Sequence, residues 1–108
     1  MDLNRKTAFQ VLFEIEKEQS YSNLTLNNFI NENKPDNPAF VREMVYGVLE
    51  NRMLLDYYLN QLIPSGINKV KKKEKCFLRM GLYQMIFMDS VPDYAAINET
   101  VNLAKKLC

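Results

Sequence analysis

The sequence predicts an all-α bundle of about six or seven helices in two packed subunits. Apolar residues recur every three or four positions along nearly the whole chain, and no segment alternates strictly enough to read as a strand. Pro38, Pro64 and Pro92 fall near the ends of the periodic stretches, where proline opens a helix or stops one. The segments before Pro64 are expected to build the first subunit, and those around Lys75 to Met88 the second.

The first periodic segment runs from about Asn4 to Glu18 and places Ala8, Val11, Leu12 and Ile15 on one stripe. Phe9 and Phe13 widen that stripe, while Glu14, Glu16, Lys17 and Glu18 are expected to face mostly outward. Gln19-Ser20-Tyr21-Ser22 reads as a turn, with Ser22 as N-cap of a short helix through Asn33 that packs by Leu26, Phe29 and Ile30. Lys34-Pro35-Asp36-Asn37-Pro38 then ends one helix and opens the next, with Asp36 or Asn37 as cap and Pro38 at the first helical position. Phe40, Val41, Met44, Val45, Val48 and Leu49 carry the third segment. The pattern resumes at Leu54, Leu55, Tyr58, Leu59 and Leu62, but its phase shifts near Asn51 to Met53, which marks a bend or a break into two helices.

Lys69 to Lys75 holds five lysines in seven positions and reads as a basic connector. From Lys75 to Met88 ten of fourteen residues are apolar, so this helix is expected to be surrounded by others, with Leu78, Leu82, Met85 and Ile86 nearly fully buried. Asp89 to Asp93 breaks the pattern and Asp93 can cap. Ile97, Val101, Ala104 and Leu107 form the stripe of a last helix, which reaches Cys108 without a stop signal, as if the chain were cut from something longer.

Composition narrows the chemistry. The chain has 108 residues, 47% hydrophobic and 25% charged, the balance of one globular domain with a core of its own. Without histidine there is no Ser-His-Asp triad, no Cys-His dyad and no imidazole metal ligand, and two cysteines cannot make a four-thiolate zinc site. Gly47, Gly66 and Gly81 stand too far apart to cradle a phosphate. Neither catalysis nor a metal site is expected from this chain alone. The N-terminus lacks the apolar core of a secretory signal, no stretch is long enough to span a membrane, and Cys76 and Cys108 have no disulfide framework around them, so a cytoplasmic setting with free thiols is expected.

Fourteen Lys plus Arg against thirteen Asp plus Glu leave a net charge of +1, so any nucleic-acid binding must come from local patches. The candidate phosphate contacts are Arg5 and Lys6, then Lys69, Lys71, Lys72, Lys73 and Lys75; a solvated loop is the alternative for the connector. Lys105-Lys106 can complement a helix C-terminal dipole. Arg79, alone in an apolar helix, is expected to pair with a buried carboxylate or carbonyl. Gly47 and Gly81 sit inside helical segments, where glycine costs about 1 kcal/mol relative to alanine, so a close backbone crossing between these two helices is expected to offset it, with tolerated glycines as the alternative. Asn98-Glu99, in the first turns of the last helix, suits structural hydrogen bonds. Asp2, Glu14, Glu16, Glu18, Glu43, Glu50 and Asp56 read as solvated carboxylates. Tyr21, Tyr57, Tyr58 and Tyr94 are half-buried ring candidates, with base stacking as the other possibility. Cys76 heads the apolar helix and reads as a small core residue rather than a nucleophile.

Read as text, Phe77-Leu78-Arg79-Met80-Gly81-Leu82-Tyr83-Gln84, Val91-Pro92, Ala96-Ile97-Asn98-Glu99 and Val101-Asn102-Leu103-Ala104-Lys105 resemble the NusB family of helical RNA-binding domains. Arg5, Ala8, Phe40-Val41-Arg42-Glu43 and Val45-Tyr46-Gly47-Val48 agree. Ser22-Asn23-Leu24, Leu55-Asp56 and Leu82 to Asp89 are most similar to the N-terminal domain of bacterial Sun-type (RsmB-like) ribosomal RNA cytosine methyltransferases. That resemblance implies a parent that uses S-adenosylmethionine, bound in a downstream domain, to methylate carbon five of a cytosine in small-subunit ribosomal RNA. The parent's catalytic cysteines lie in that domain, so neither Cys76 nor Cys108 inherits the role. Two alternatives stay open: a free-standing transcription antitermination factor that binds RNA with a ribosomal protein partner, and a helical protein-interaction module without RNA. The family continues into another helix with an asparagine-glycine motif that does not occur here. An uncovered apolar surface beside Ile97, Val101 and Ala104 is therefore expected, and with it either a concentration-dependent homodimer formed through that surface or a frayed C-terminus.

Overall fold

A computed structural model describes residues 2–108. Its elements are α1 (Leu3–Glu18), α2 (Asn23–Asn33), α3 (Pro38–Glu50), α4 (Arg52–Leu62), a 3₁₀ turn (Ile67–Lys69), α5 (Lys72–Phe87) and α6 (Asp93–Leu107). No strand occurs among the described residues.

Side-chain caps set the helix starts. Asp2 accepts from the Arg5 amide at 3.0 Å, Ser22 from Leu24 at 3.1 Å, and Asn37 from Phe40 at 3.0 Å with Pro38 at the first helical position. The phase shift is a true break. Asn51 separates α3 from α4, its amide 3.0 Å and its side-chain nitrogen 2.8 Å from the Gly47 carbonyl. α1 and α2 both end on a left-handed residue that is not glycine, Gln19 at φ 57° and Lys34 at φ 49°. Asp93 opens α6 without capping it; Pro92 occupies the N-cap position.

The core is built around α1, which packs against α2, α3, α5 and α6, while α4 reaches the bundle through α3 and α5. Ala8, Val11, Leu12 and Ile15 are buried as their stripe predicts. They meet Leu26 and Ile30 of α2, Val41, Met44, Val45 and Val48 of α3, and Cys76, Phe77 and Met80 of α5. The Phe9 and Phe77 rings stack at 4.2 Å between centroids, which ties α1 to α5.

Three expectations about the second half are corrected. The lysine run is not all connector, since α5 begins at Lys72 and takes in Lys72, Lys73 and Lys75. α5 is not enclosed: Cys76, Phe77, Met80 and Tyr83 face the core, whereas Leu78 (38%), Met85 (42%) and Ile86 (41%) are exposed and Leu82 is only half-buried. Arg79 and Gln84 lie on the buried face, because partners on other helices satisfy them there. On α6 the buried stripe is Ala96, Thr100 and Leu103, one residue out of phase with the expected set; Ile97 and Val101 are exposed.

Gly47 fulfils the packing expectation, with a tyrosine rather than a backbone as its neighbour. A Cβ on Gly47 would fall inside the Tyr83 ring of α5. Gly81 faces α6 instead, where a Cβ would meet only Thr100 Cγ2 at an ordinary 3.8 Å.

Candidate nucleic-acid interface

Three polar constellations organise the charged residues, and two of them face inward. Arg79 projects from α5 between α1 and α4. It holds Asp56 by two parallel bonds, Nε to Oδ1 at 2.8 Å and Nη2 to Oδ2 at 2.9 Å, and reaches Glu16 Oε2 through Nη1 at 3.2 Å. Glu16 also draws Arg52 Nη2 to 3.4 Å and Lys75 Nζ to 4.0 Å. Burial alone would lower the Arg79 pKa, but hydrogen bonds and charge from Asp56 and Glu16 outweigh it and raise the value further. Glu16 is thus buried and Asp56 half-buried in ion pairs, not solvated as their sequence context suggests. Cys76 sits beside this cluster, and burial, with Glu16 second, pushes its thiol up to about 12. At that value it is a core residue and not a nucleophile.

The second constellation takes up Arg5. Its guanidinium pairs with Asp2, donates from Nε to Gln84 Oε1 at 2.8 Å and lies 5.2 Å from the centre of the Phe40 ring. Gln84 passes the network on, donating to the Met80 carbonyl at 2.9 Å and to Thr100 Oγ1 at 3.0 Å. Every buried side-chain polar atom among the described residues has a partner. Arg5 therefore joins α1 to α5 and α3, with Gln84 carrying the network on to α6, and is spent on the fold rather than offered to solvent. Asn98 and Glu99 are exposed and make no side-chain hydrogen bond among those of the described residues; Thr100, one position on, makes the structural bond expected of them.

The third constellation faces outward. Lys71 is the N-cap residue of α5, with no side-chain cap bond, and Lys72 and Lys73 form its first turn. All three are exposed and border a depression of about 660 Å³ with Phe13 and Lys17 of α1. Lys17 Nζ stands 4.7 Å and Lys73 Nζ 5.7 Å from the centre of the Phe13 ring. Lys73 also donates to the Leu107 carbonyl at 3.2 Å, which sets the C-terminus of α6 beside the N-terminus of α5. Lysines at a helix N-terminus oppose its dipole, an effect offset in part by Glu74 in the same turn, by the Leu107 carbonyl on Lys73 and by Glu14, which pairs with Lys17 at 3.2 Å. Lys6 precedes Phe13 by seven residues, which puts it half-exposed on nearly the same face of α1, roughly 10 Å away.

Of the seven basic residues expected to meet phosphate, the fold gathers Lys71, Lys72 and Lys73. Lys6 extends their side of the molecule along α1, Lys69 is exposed at the end of the 3₁₀ turn, Lys75 turns toward Glu16, and Arg5 is buried. Sequence reasoning did not single out Lys17 and Phe13. Their signal is the four-residue spacing that puts a cation above an aromatic ring on one helix face.

The fold thus defines a class, an all-helical bundle that gathers exposed lysines beside a partly exposed aromatic ring. Comparison with known proteins makes this specific. The NusB family model matches residues 2–108, and the chain belongs to the NusB family. It is 42% identical over 103 residues to the probable ribosomal RNA small subunit methyltransferase B of Bacillus subtilis (strain 168) and 33% identical to the protein of the same name from Synechocystis. These matches take in 94% of this chain but 23% of each relative's length. It is also 33% identical over 112 residues to the transcription antitermination protein NusB of Limosilactobacillus reuteri (strain DSM 20016), covering 97% of this chain and 81% of that protein. No solved structure matches. No helix among the described residues is long and apolar enough to cross a membrane.

Proposed function

We propose that this chain is the RNA-holding domain of a ribosomal RNA small-subunit methyltransferase, acting in the cytoplasm, with Lys17, Lys71, Lys72 and Lys73 on phosphates and Phe13 under an unpaired base. The observation that carries the reading is the outward cluster of four lysines around one aromatic ring in a chain whose net charge is only +1. Electrostatics supply non-specific affinity by releasing condensed counterions, and a ring among cations adds the stacking that single strands use. The methyltransferase assignment, in preference to antitermination, rests on the 42% identity to the Bacillus subtilis relative. In this reading S-adenosylmethionine and the methyl transfer belong to another domain of the parent, as the far greater length of the methyltransferase relatives allows.

The test is binding to single-stranded ribosomal RNA fragments as a function of salt. The domain should bind weakly, with Kd on the order of 10⁻⁴ to 10⁻⁶ M near physiological salt. Replacing Lys71, Lys72 and Lys73 by Ala should flatten the slope of log affinity against log salt by roughly 0.7 per lost contact, about 2 in all, and Lys17→Ala should remove roughly 0.7 more. Phe13→Ala should weaken binding by about 1 kcal/mol or more and leave the slope unchanged. A triple lysine variant that binds with the wild-type slope overturns the reading.

A further inference from the structure

On the side of the bundle formed by α2 and α3, one asparagine holds two exposed tyrosines. Tyr21, in the turn before α2, and Tyr46 of α3 both donate their hydroxyls to Asn23 Oδ1, Tyr46 at 2.8 Å, and their rings meet edge to face with centres 6.0 Å apart. One turn along α2, Asn27 Oδ1 accepts from Arg42 Nη1 of α3 at 3.0 Å. Asn23 and Asn27 on one helix thus face Tyr46 and Arg42 on the other, each pair four residues apart and on one helical face. These bonds fix the side chains before any ligand arrives, which lowers the ordering cost of binding.

The groups left free by those bonds have a definite chemistry. Both tyrosine rings are exposed, and the side-chain nitrogens of Asn23 and Asn27 make no hydrogen bond among those of the described residues. Arg5, Arg52 and Arg79 each pair with a carboxylate, whereas Arg42, half-buried, makes no ion pair among the described residues. Its charge is the one felt by the Tyr21 hydroxyl, while Glu43 and Glu50 of α3 act on Tyr83 of α5. The patch therefore offers an unneutralised cation, two ring faces and two amide donors. An acidic peptide would use the cation and leave the rings idle; a strand that alternates phosphates with unpaired bases uses both. We propose that Tyr21, Tyr46 and Arg42 form a second site for single-stranded RNA, separate from the lysine cluster, with an unpaired base against the rings and a phosphate on the guanidinium.

This inference rests on the reading of the chain as an RNA-holding domain, and its test separates the two sites. The probe is an oligouridylate of about eight nucleotides carrying 4-thiouridine. Photo-crosslinks are expected at Tyr21 or Tyr46, and they should persist when Lys71, Lys72 and Lys73 are replaced by Ala. In that lysine-depleted background Tyr21→Ala and Tyr46→Ala should each weaken binding about fivefold or more, whereas Tyr46→Phe, which keeps the ring, should stay within about twofold. Arg42→Gln should flatten the slope of log affinity against log salt by roughly 0.7. Tyrosine and arginine variants that bind like their parent overturn the second site and leave the proposed function standing; a wild-type chain that binds no RNA overturns both. A Tyr46→Phe variant as weak as Tyr46→Ala would show that the bond between helices matters and the ring does not, and overturns the inference. Polyglutamate that suppresses the Tyr21 and Tyr46 crosslinks as well as unlabelled RNA does would mark an acidic protein partner and overturns it equally.

Discussion

At Arg79 one side chain binds carboxylates from two other helices, so removing it strips Asp56 of its ion-pair partner and Glu16 of its nearest one. Arg79→Met should destabilise the fold by about 3 kcal/mol in urea unfolding, the lower end for a broken buried pair, because Arg52 and Lys75 still reach Glu16. A loss well under about 1 kcal/mol would mean that the cluster behaves like a surface pair. The two helical glycines should part company. Gly47→Ala must displace the buried Tyr83 ring, which stacks on Phe87, and should cost about 1 to 3 kcal/mol. Gly81→Ala has room for its methyl and should stabilise α5 by up to about 1 kcal/mol. Both glycines look alike in the sequence, since each interrupts an apolar helical pattern; only the neighbour across the interface distinguishes them.

Helix α5 was legible as a helix but not in its phase. With ten of fourteen residues apolar, the Lys75 to Met88 stretch offers no polar face from which to read orientation, and the two polar residues that could have set it, Arg79 and Gln84, point inward. Burial of those two depended on Glu16 and Asp56, and on Arg5 and Thr100, none of them near in sequence. Boundaries were more readable where a local bond defines them, as at Ser22, Asn37 with Pro38, and Asn51. The end of α2 allows a test at this scale. Lys34 closes it in the left-handed region, which an L residue with a Cβ adopts at a cost and glycine does not. Lys34→Gly should raise stability by about 0.5 to 1 kcal/mol, read from the urea midpoint at constant slope. An unchanged or lower midpoint would show that the terminus relaxes without that cost.

Over the whole molecule, buried groups that resist losing a proton make the fold sensitive to base. The unfolded chain gives up the Cys76 proton near the ordinary value of 9.0, whereas the folded protein keeps it to about 12. Above about pH 9 the unfolded state therefore binds fewer protons than the folded one, and stability falls as pH rises; below that pH this group removes nothing. Tyr83, raised by burial and by Glu43 and Glu50, acts in the same direction at higher pH. Urea midpoints measured from about pH 8 to 10.5 should decline, and Cys76→Ala should make the decline shallower. An identical pH slope in the variant would place the alkaline sensitivity elsewhere. By itself the sequence determined the all-α class, the helix order, the phase shift near Asn51 and the likeness to NusB, because periodicity, caps and motif text are local properties of the chain. Only the tertiary structure decided that Arg5 is buried while Lys17 and Phe13 join the lysines of α5, and that α5 keeps an apolar face outward. Those outcomes depend on which side chains from distant segments meet, and burial free energy is set by the partner across the interface rather than by the neighbour in sequence.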